Sequence, residues 1–309
     1  MLHLILFIAF QTLTGISGSP ASINTTNKIQ LLSSDGSATA LSYFNTTPES
    51  PDGQRIVYMK FDTNTETSKQ KNPGSLWVFD KNTQRHHEIC RVNWLPTPHN
   101  AAMAQWVDDR HIAFMEGHHV KVVEIDDGNI IMGPVKGHIG HTSHQKKILL
   151  NLDEDDGPWE QGVYQIDVFT GERRLIIRPK DFVNYAERMG METDPVEEWK
   201  TLHAQWSPNG KKIALRLDVK KDGTEKERIL VSLNTDGSVI RIFGPKPMHF
   251  LWFDNHTFLG HDHQVDDGQP NNRSLRRWDQ DGKFVETLAG PGNHLGAAPG
   301  RWWFASESW

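Results

Sequence analysis

A degenerate repeat constrains this chain more than any other feature of its sequence. It is clearest in Ser50-Pro51-Asp52-Gly53-Gln54-Arg55-Ile56-Val57-Tyr58 and Ser207-Pro208-Asn209-Gly210-Lys211-Lys212-Ile213-Ala214-Leu215. Each reads as a tight turn leading into an alternating strand, with Pro setting φ and Gly accepting the left-handed turn position. With Trp206 as anchor, His203 lies three positions before it. Trp252 has His249 at the same spacing, and Ala297, ahead of the shortened turn Pro299-Gly300, has His294. Aligning Lys146-Lys147-Ile148 with Lys211-Lys212-Ile213 adds His138. Equivalent positions in a closed circular repeat converge on one axis, so these imidazoles are expected to face a common centre.

The register positions are Thr46, Met103, His138, His203, His249 and His294, at intervals of 57, 35, 65, 46 and 45 residues. Four-stranded propeller blades run roughly 40–50 residues, so two intervals fit, one is short and two carry insertions. The expected fold is therefore an all-β propeller of four-stranded blades over residues 28–309. Lys28 to Leu32 and Ala38 to Tyr43 read as two outer strands that complete a blade begun by His294 to Ser306. That closure gives six blades, or seven if the chain is a fragment, and removes exposed sheet edges. Asn184 to Glu198 reads as a helical or lid segment, and His261 to Asn272 as a long polar loop.

Composition narrows the function classes. The net charge is −6, from 33 basic and 39 acidic residues, and the basic residues form no sustained run beyond Lys220-Lys221 to Arg228. Nucleic acid is therefore an unsuitable partner. The apolar run Leu4 to Phe10, followed by small residues to Ala21, has the order of a secretory signal peptide over residues 1–21. It is too short to span a bilayer. The expected location is secreted or periplasmic, with no membrane span. Cys90 is the single cysteine, which excludes an intramolecular disulfide, a Cys-based zinc site and a thiol pair. No Gly-rich phosphate loop, nucleophile elbow or paired metalloprotease histidine motif is present.

Sixteen histidines leave three readings of the register set open. A histidine at an inner-strand start can hydrogen-bond the next blade's backbone. Three or four converging imidazoles also suit a divalent metal such as Mn, Zn, Ni or Fe. A single one can act as acid or base without metal. His138, His203, His249 and His294 are the expected ligands. His261 and His263, two apart on one strand face, form a second cluster. His86-His87, His118-His119 and His141 to His144 read as surface or interblade residues, with His141 and His144 the leading exceptions. Asp153 to Trp159 reads as a solvated hairpin, since the alternating ligands of a calcium loop are absent. Arg216 is a candidate clamp for a substrate carboxylate, against a plain solvated strand position.

The Ser-Pro-Asp-Gly turn with its flanking strands resembles TolB-type propeller repeats. His203-Ala204-Gln205-Trp206-Ser207-Pro208-Asn209-Gly210, preceded by Gly157-Pro158-Trp159 and followed by a last histidine at His294, resembles oligogalacturonate lyases over Gln145 to Ser306. That resemblance implies a propeller, seven-bladed in the family, whose central histidines and a glutamine bind a divalent metal, usually manganese. It also implies β-elimination on acidic, pectic-type oligosaccharides, with His203 and His294 matching family histidines. The chain departs from the pattern in two places. Gly290-Pro291-Gly292-Asn293 precedes a lone His294 where the family has Gln and two His, and acids precede Gly157 where the family has His. A non-catalytic TolB-type propeller that binds protein or glycan partners is the competing expectation.

Overall fold

The computed structural model describes residues 37–43, 46–62, 72–188, 197–221, 224–238, 241–244, 249–261, 274–289, 295–297 and 304–306. The expected signal peptide, Lys28 to Leu32, Asp262 to Asn272 and His294 lie outside the described residues. Among the described residues the strands form five four-stranded antiparallel sheets and one two-stranded sheet. The first sheet holds β1 (Thr39–Ala40), β2 (Arg55–Phe61), β3 (Gly74–Asp80) and β4 (Arg85–Val92). The second holds β5 (Gln105–Trp106), β6 (His111–Glu116), β7 (His119–Glu124) and β8 (Ile130–Lys136). The third holds β9 (His138–His144), β10 (Lys147–Leu152), β11 (Gly162–Asp167) and β12 (Arg173–Ile177). The fourth holds β13 (Glu197–Trp206), β14 (Lys212–Lys221), β15 (Thr224–Asn234) and β16 (Arg241–Gly244). The fifth holds β17 (Phe250–Trp252), β18 (Thr257–His261), β19 (Leu275–Asp279) and β20 (Phe284–Ala289), and β21 (Leu295–Ala297) pairs with β22 (Phe304–Ser306).

Each sheet is ordered as the chain runs, and β5, β9, β13, β17 and β21 are neighbours in space. The first strands are therefore innermost. The sheets stack face to face because each second strand is apolar on both sides. In β6, Ile112 and Phe114 pack with Val57, Met59, Leu76 and Val78 of the first sheet. Ala113 and Met115, on the other face, pack with Ile148, Leu150 and Tyr164 of the third. Leu149 in turn packs with Trp206, Ile213, Leu215 and Val231 of the fourth sheet, and Ala214 with Phe250, Trp252 and Phe258 of the fifth. Burying a side chain of this size contributes about 1.5–3 kcal/mol. Sheets stacked this way around innermost first strands make a β-propeller.

The repeated turns reproduce one another atom for atom. Ser50 N–H donates to the Arg55 carbonyl and Gly53 N–H to the Ser50 carbonyl, at 2.9 and 2.8 Å, while Arg55 N–H donates to Ser50 Oγ at 2.9 Å. In the second turn Ser207 N–H, Gly210 N–H and Lys212 N–H make the same bonds to Lys212 O, Ser207 O and Ser207 Oγ at 2.9, 2.8 and 3.0 Å. Gly53 and Gly210 supply the φ of +71° and +67° that the turn requires. Adjacent sheets are pinned through polar residues beside the anchors. Gln105 Nε2 donates to the Gly140 carbonyl at 2.6 Å, and Trp206 N–H donates to Thr142 Oγ1 at 2.9 Å. Gln205 donates to Phe250 O at 3.0 Å and accepts from Trp252 N–H at 3.2 Å.

Three expectations change. Ala38 to Tyr43 does not form an outer strand beside His294 to Ser306, because β1 pairs with β2 and so begins the first sheet. Proximity in the chain, together with a two-residue hydrogen-bonded register, wins over the longer-range pairing. The helix α1 spans Pro179–Arg188, earlier than Asn184 to Glu198, because Asp181 accepts from the Arg178 backbone N–H at 2.9 Å at its start. Glu197 and Glu198 instead extend β13. The charged stretch Lys220 to Lys226, which reads in the sequence as a hairpin between two strands, is mostly strand, since β14 and β15 continue to a Lys221–Thr224 pair.

Candidate functional site

Two first strands bulge at matching heights. In β13, Leu202 pairs with Arg216 and Gln205 with Ala214, so His203 and Ala204 together oppose Leu215. In β9, Ile139 pairs with Leu150 and Ser143 with Ile148, so Gly140, His141 and Thr142 oppose Leu149. Bulges bend a strand and re-aim its side chains. His203 takes φ +54°, a conformation costing a non-glycine residue of order 1–3 kcal/mol. Its Nδ1 lies 2.7 Å from Nε2 of His141, with ring centroids 4.8 Å apart and planes at 77°. His141 is fully buried and His203 half-buried. Gly140 is required beside them, because a Cβ there would meet the Ala204 carbonyl at 2.6 Å and Leu149 Cβ at 2.7 Å.

Tyr43 and His99 complete the group. The Tyr43 ring lies 5.3 Å from His99, 5.7 Å from His141 and 6.2 Å from His203, stacked on the last at 26°. His99 comes from the short 3-10 segment Pro98–Met103, where Ala101, Ala102 and Met103 take φ of +42°, +60° and +48°. Three successive left-handed residues fold this segment tightly ahead of β5. Two of the four rings thus come from the first strands of the third and fourth sheets, and two from the segments that precede β2 and β5. At 2.7 Å one nitrogen of the His141–His203 pair carries the shared proton and the other accepts it.

The residues expected from the sequence are placed as follows. His203 is in the cluster. His138 is not at the equivalent position: Ser143 pairs with Ile148 while Trp206 pairs with Ile213, so the turn after β9 is two residues shorter. Counting three back from Ser143 reaches Gly140. His138 instead stands 3.7 Å from Asp153 and 5.8 Å, ring to ring, from His118, and burial holds its pKa below the usual imidazole value. His249 is half-buried just before β17, and His294 and His263 lie outside the described residues. His261 is buried in β18 opposite Leu275. Arg216 directs Nε and Nη2 at the two oxygens of Asp218, at 2.7 and 2.9 Å, with both side chains largely buried. The bidentate edge suited to a substrate carboxylate is thus committed, and Nη1 remains.

Among the described residues no group of three or more His, Cys, Asp or Glu is arranged to hold a metal ion. Facing nitrogens of His141 and His203 are hydrogen-bonded to each other, so these donors as they stand do not fit a divalent cation. Burial pushes the Cys90 thiol up to about 12, which leaves no thiolate nucleophile. Among the described residues no helix is long and apolar enough to cross a membrane.

Tyr43 and His99 carried no repeat signal, since each sits in an irregular segment ahead of its anchor. Aligning the ladders puts Met103-Ala104-Gln105-Trp106, Gly140-His141-Thr142-Ser143 and His203-Ala204-Gln205-Trp206 in one register once turn length is allowed to vary, so His141 falls one position after the register that the sequence repeat marks.

No protein-family model and no curated protein matches the chain. The structure is similar to TolB from Acinetobacter baumannii, with TM-score 0.52 and 14% identity, over 84% of this chain and 56% of that one. The chain therefore spans little more than half the length of that TolB. It is also similar to an oligogalacturonate lyase in complex with manganese, with TM-score 0.56 and 14% identity, over 84% of this chain and 69% of the other. Stacked antiparallel sheets, repeated inner-edge turns and these two likenesses together identify the chain as a β-propeller of the fold found in TolB and oligogalacturonate lyase.

Proposed function

We propose that this chain is an exported enzyme that cleaves acidic, uronate-containing oligosaccharides by β-elimination at the His141–His203 pair. The observation that carries this reading is the buried imidazole pair itself, held by two bulges at the inner edge of the propeller and ringed by Tyr43 and His99. In the productive tautomer His203 Nδ1–H donates to His141 Nε2, so His203 Nε2 keeps its lone pair. His203 is the more exposed member and takes the C5 proton of the uronate. The C5–H electron pair becomes the C4=C5 bond, the C4–O bond breaks, and the departing oxygen receives that proton from His203. His141 orients the ring and stabilises the imidazolium, as the third group of a triad does for its base. The uronate carboxylate must be neutralised for C5–H to become acidic, a role open to Arg216 through Nη1. No step is assigned to manganese, because the described donors do not fit it.

The likeness to an oligogalacturonate lyase supports the substrate class. The likeness to TolB favours a second reading, a non-catalytic propeller that binds protein or glycan partners. The deciding experiment incubates the purified chain with galacturonate oligomers and follows the ultraviolet absorbance of unsaturated product, in chelator and in added manganese. Product in either arm supports the enzyme. Product in the manganese arm alone brings His249 and His294 back as ligands, and absence of product in both favours the binding reading.

A further inference from the structure

The ladder makes Asn151 and Asp153 the counterparts of Arg216 and Asp218, since Ile148 and Ile213 are equivalent. In the fourth sheet the aspartate is saturated by arginine. In the third, asparagine replaces the arginine and donates to the His138 carbonyl at 3.4 Å. Asp153 is left with Oδ1 buried and without a hydrogen-bond partner among the described residues, and its other oxygen is 3.7 Å from His138, beyond hydrogen-bonding range. Buried acceptors are ordinarily satisfied, and Asp153, whose side chain is 31% exposed, also lines a cleft from which a ligand reaches its carboxylate.

That cleft, about 470 Å³, lies between α1 and the start of β13 and is lined by Asp153, Gln161, Lys180, Glu198, Trp199 and Lys200. Lys180 pairs with Glu160 at 3.1 Å. From Asp153 a row of rings runs across the same face: His138, then His118 at 5.8 Å, then Trp94 at 5.2 Å and nearly perpendicular to it. Trp94 is 37% exposed, yet its backbone is fixed. Gly117 N–H donates to the Trp94 carbonyl at 2.8 Å, and Asn93 N–H donates to Glu116 at 2.7 Å. Gly117 lies flat against the indole, where any Cβ would collide with it. A rigid, exposed indole offers a stacking surface for the C–H face of one sugar ring, and the Asp153 carboxylate an acceptor for hydroxyls of another. His138 and His141 are three residues apart on β9, about 10 Å, which connects this row to the imidazole pair.

We infer that the row Trp94–His118–His138–Asp153 and the cleft beside α1 form a binding subsite for an extended sugar chain. Trp94 stacks on one ring, Asp153 accepts hydroxyls of another ring further along the chain and Lys200 meets a carboxylate. The inference rests on the proposed substrate class, and it is tested by binding rather than turnover. Calorimetric titration of the full chain uses trigalacturonate and, as the uncharged control, maltotriose. Trigalacturonate is expected to bind more tightly, and Trp94→Ala and Asp153→Ala each to weaken it about tenfold. Trp94→Phe should retain binding, and Lys200→Ala should abolish the preference for the charged sugar. Equal affinity for the two sugars, or unchanged affinity in the Trp94 and Asp153 variants, would overturn the inference. Product formation with unaffected binding in these variants removes the subsite and leaves the lyase reading standing. Variant-sensitive binding without product does the reverse.

Discussion

The third and fourth sheets are neighbours built on one plan, and they differ where chemistry enters. Both begin with a bulged inner strand, but Ile148 follows its partner Ser143 by five positions whereas Ile213 follows Trp206 by seven. In the fourth sheet Arg216 and Asp218 close on each other, whereas in the third Asn151 leaves Asp153 open. At this pair of positions the fourth sheet closes an ion pair and the third does not, while the facing imidazoles His203 and His141 come one from each sheet. Register in a degenerate repeat is therefore set by the hydrogen-bond ladder and not by spacing from an anchor.

The largest effect expected from breaking this contrast is on stability. Arg216→Met strands a largely buried Asp218 without its cation, which should cost about 3–5 kcal/mol. Urea denaturation measures it. An additional Asp218→Asn should recover much of the loss, and a small loss in the single variant would show that the pair is solvated. The interblade pins come next. Gln205→Ala removes two hydrogen bonds, to the Phe250 carbonyl and from the Trp252 N–H, whereas Thr142→Ala removes one, from the Trp206 N–H. Losses of about 2–4 and 1–2 kcal/mol follow, and equal midpoint shifts would contradict the distinction.

Gly140→Ala tests the crossing of the two bulges. With the Ala204 carbonyl and Leu149 in the way, overpacking should cost about 1–3 kcal/mol. The same change at Gly171, where a Cβ would meet nothing within 4 Å although φ is +71°, separates crowding from backbone strain. The smallest effect is on pH dependence. Burial lowers the pKa of His87, His138 and His144 below the reference 6.5. Between those folded values and 6.5 the unfolded chain binds more protons. Stability is therefore intact above pH 6.5 and declines as pH falls through that window. Melting temperature measured from pH 7.5 to 5 should fall, and fall less steeply in His138→Gln.

Much of the architecture was legible because turn chemistry is local. Ser-Pro-Asp-Gly and Ser-Pro-Asn-Gly each specify their own hydrogen bonds, and the same ladder continues in the strands that follow. Double-sided burial was less legible, since Ile112 to Met115 read as a plain apolar run until neighbouring sheets claim alternate residues. Half of the site was readable. His203 stood out beside Trp206, whereas His138 was placed at its register because a two-residue difference in turn length cannot be seen without the pairing; the equivalent position is Gly140, and the bulge brings its neighbour His141 to His203. Tyr43 and His99 depend on irregular segments, and the φ of +42° to +60° at Ala101, Ala102 and Met103 has no compositional mark, as none is glycine. Ala38 to Tyr43 was misplaced for a related reason: pattern alone did not distinguish an outer strand from the start of a sheet.

The most direct test of the central claim compares His203→Gln, His141→Gln and His138→Gln in one assay of unsaturated product from galacturonate oligomers, with melting temperatures matched. The imidazole pair predicts a fall of about 10²–10⁴-fold for His203→Gln, a clear but smaller fall for His141→Gln, and turnover at saturating substrate close to the parent for His138→Gln. Full activity in His203→Gln, or a loss confined to His138→Gln, would contradict it.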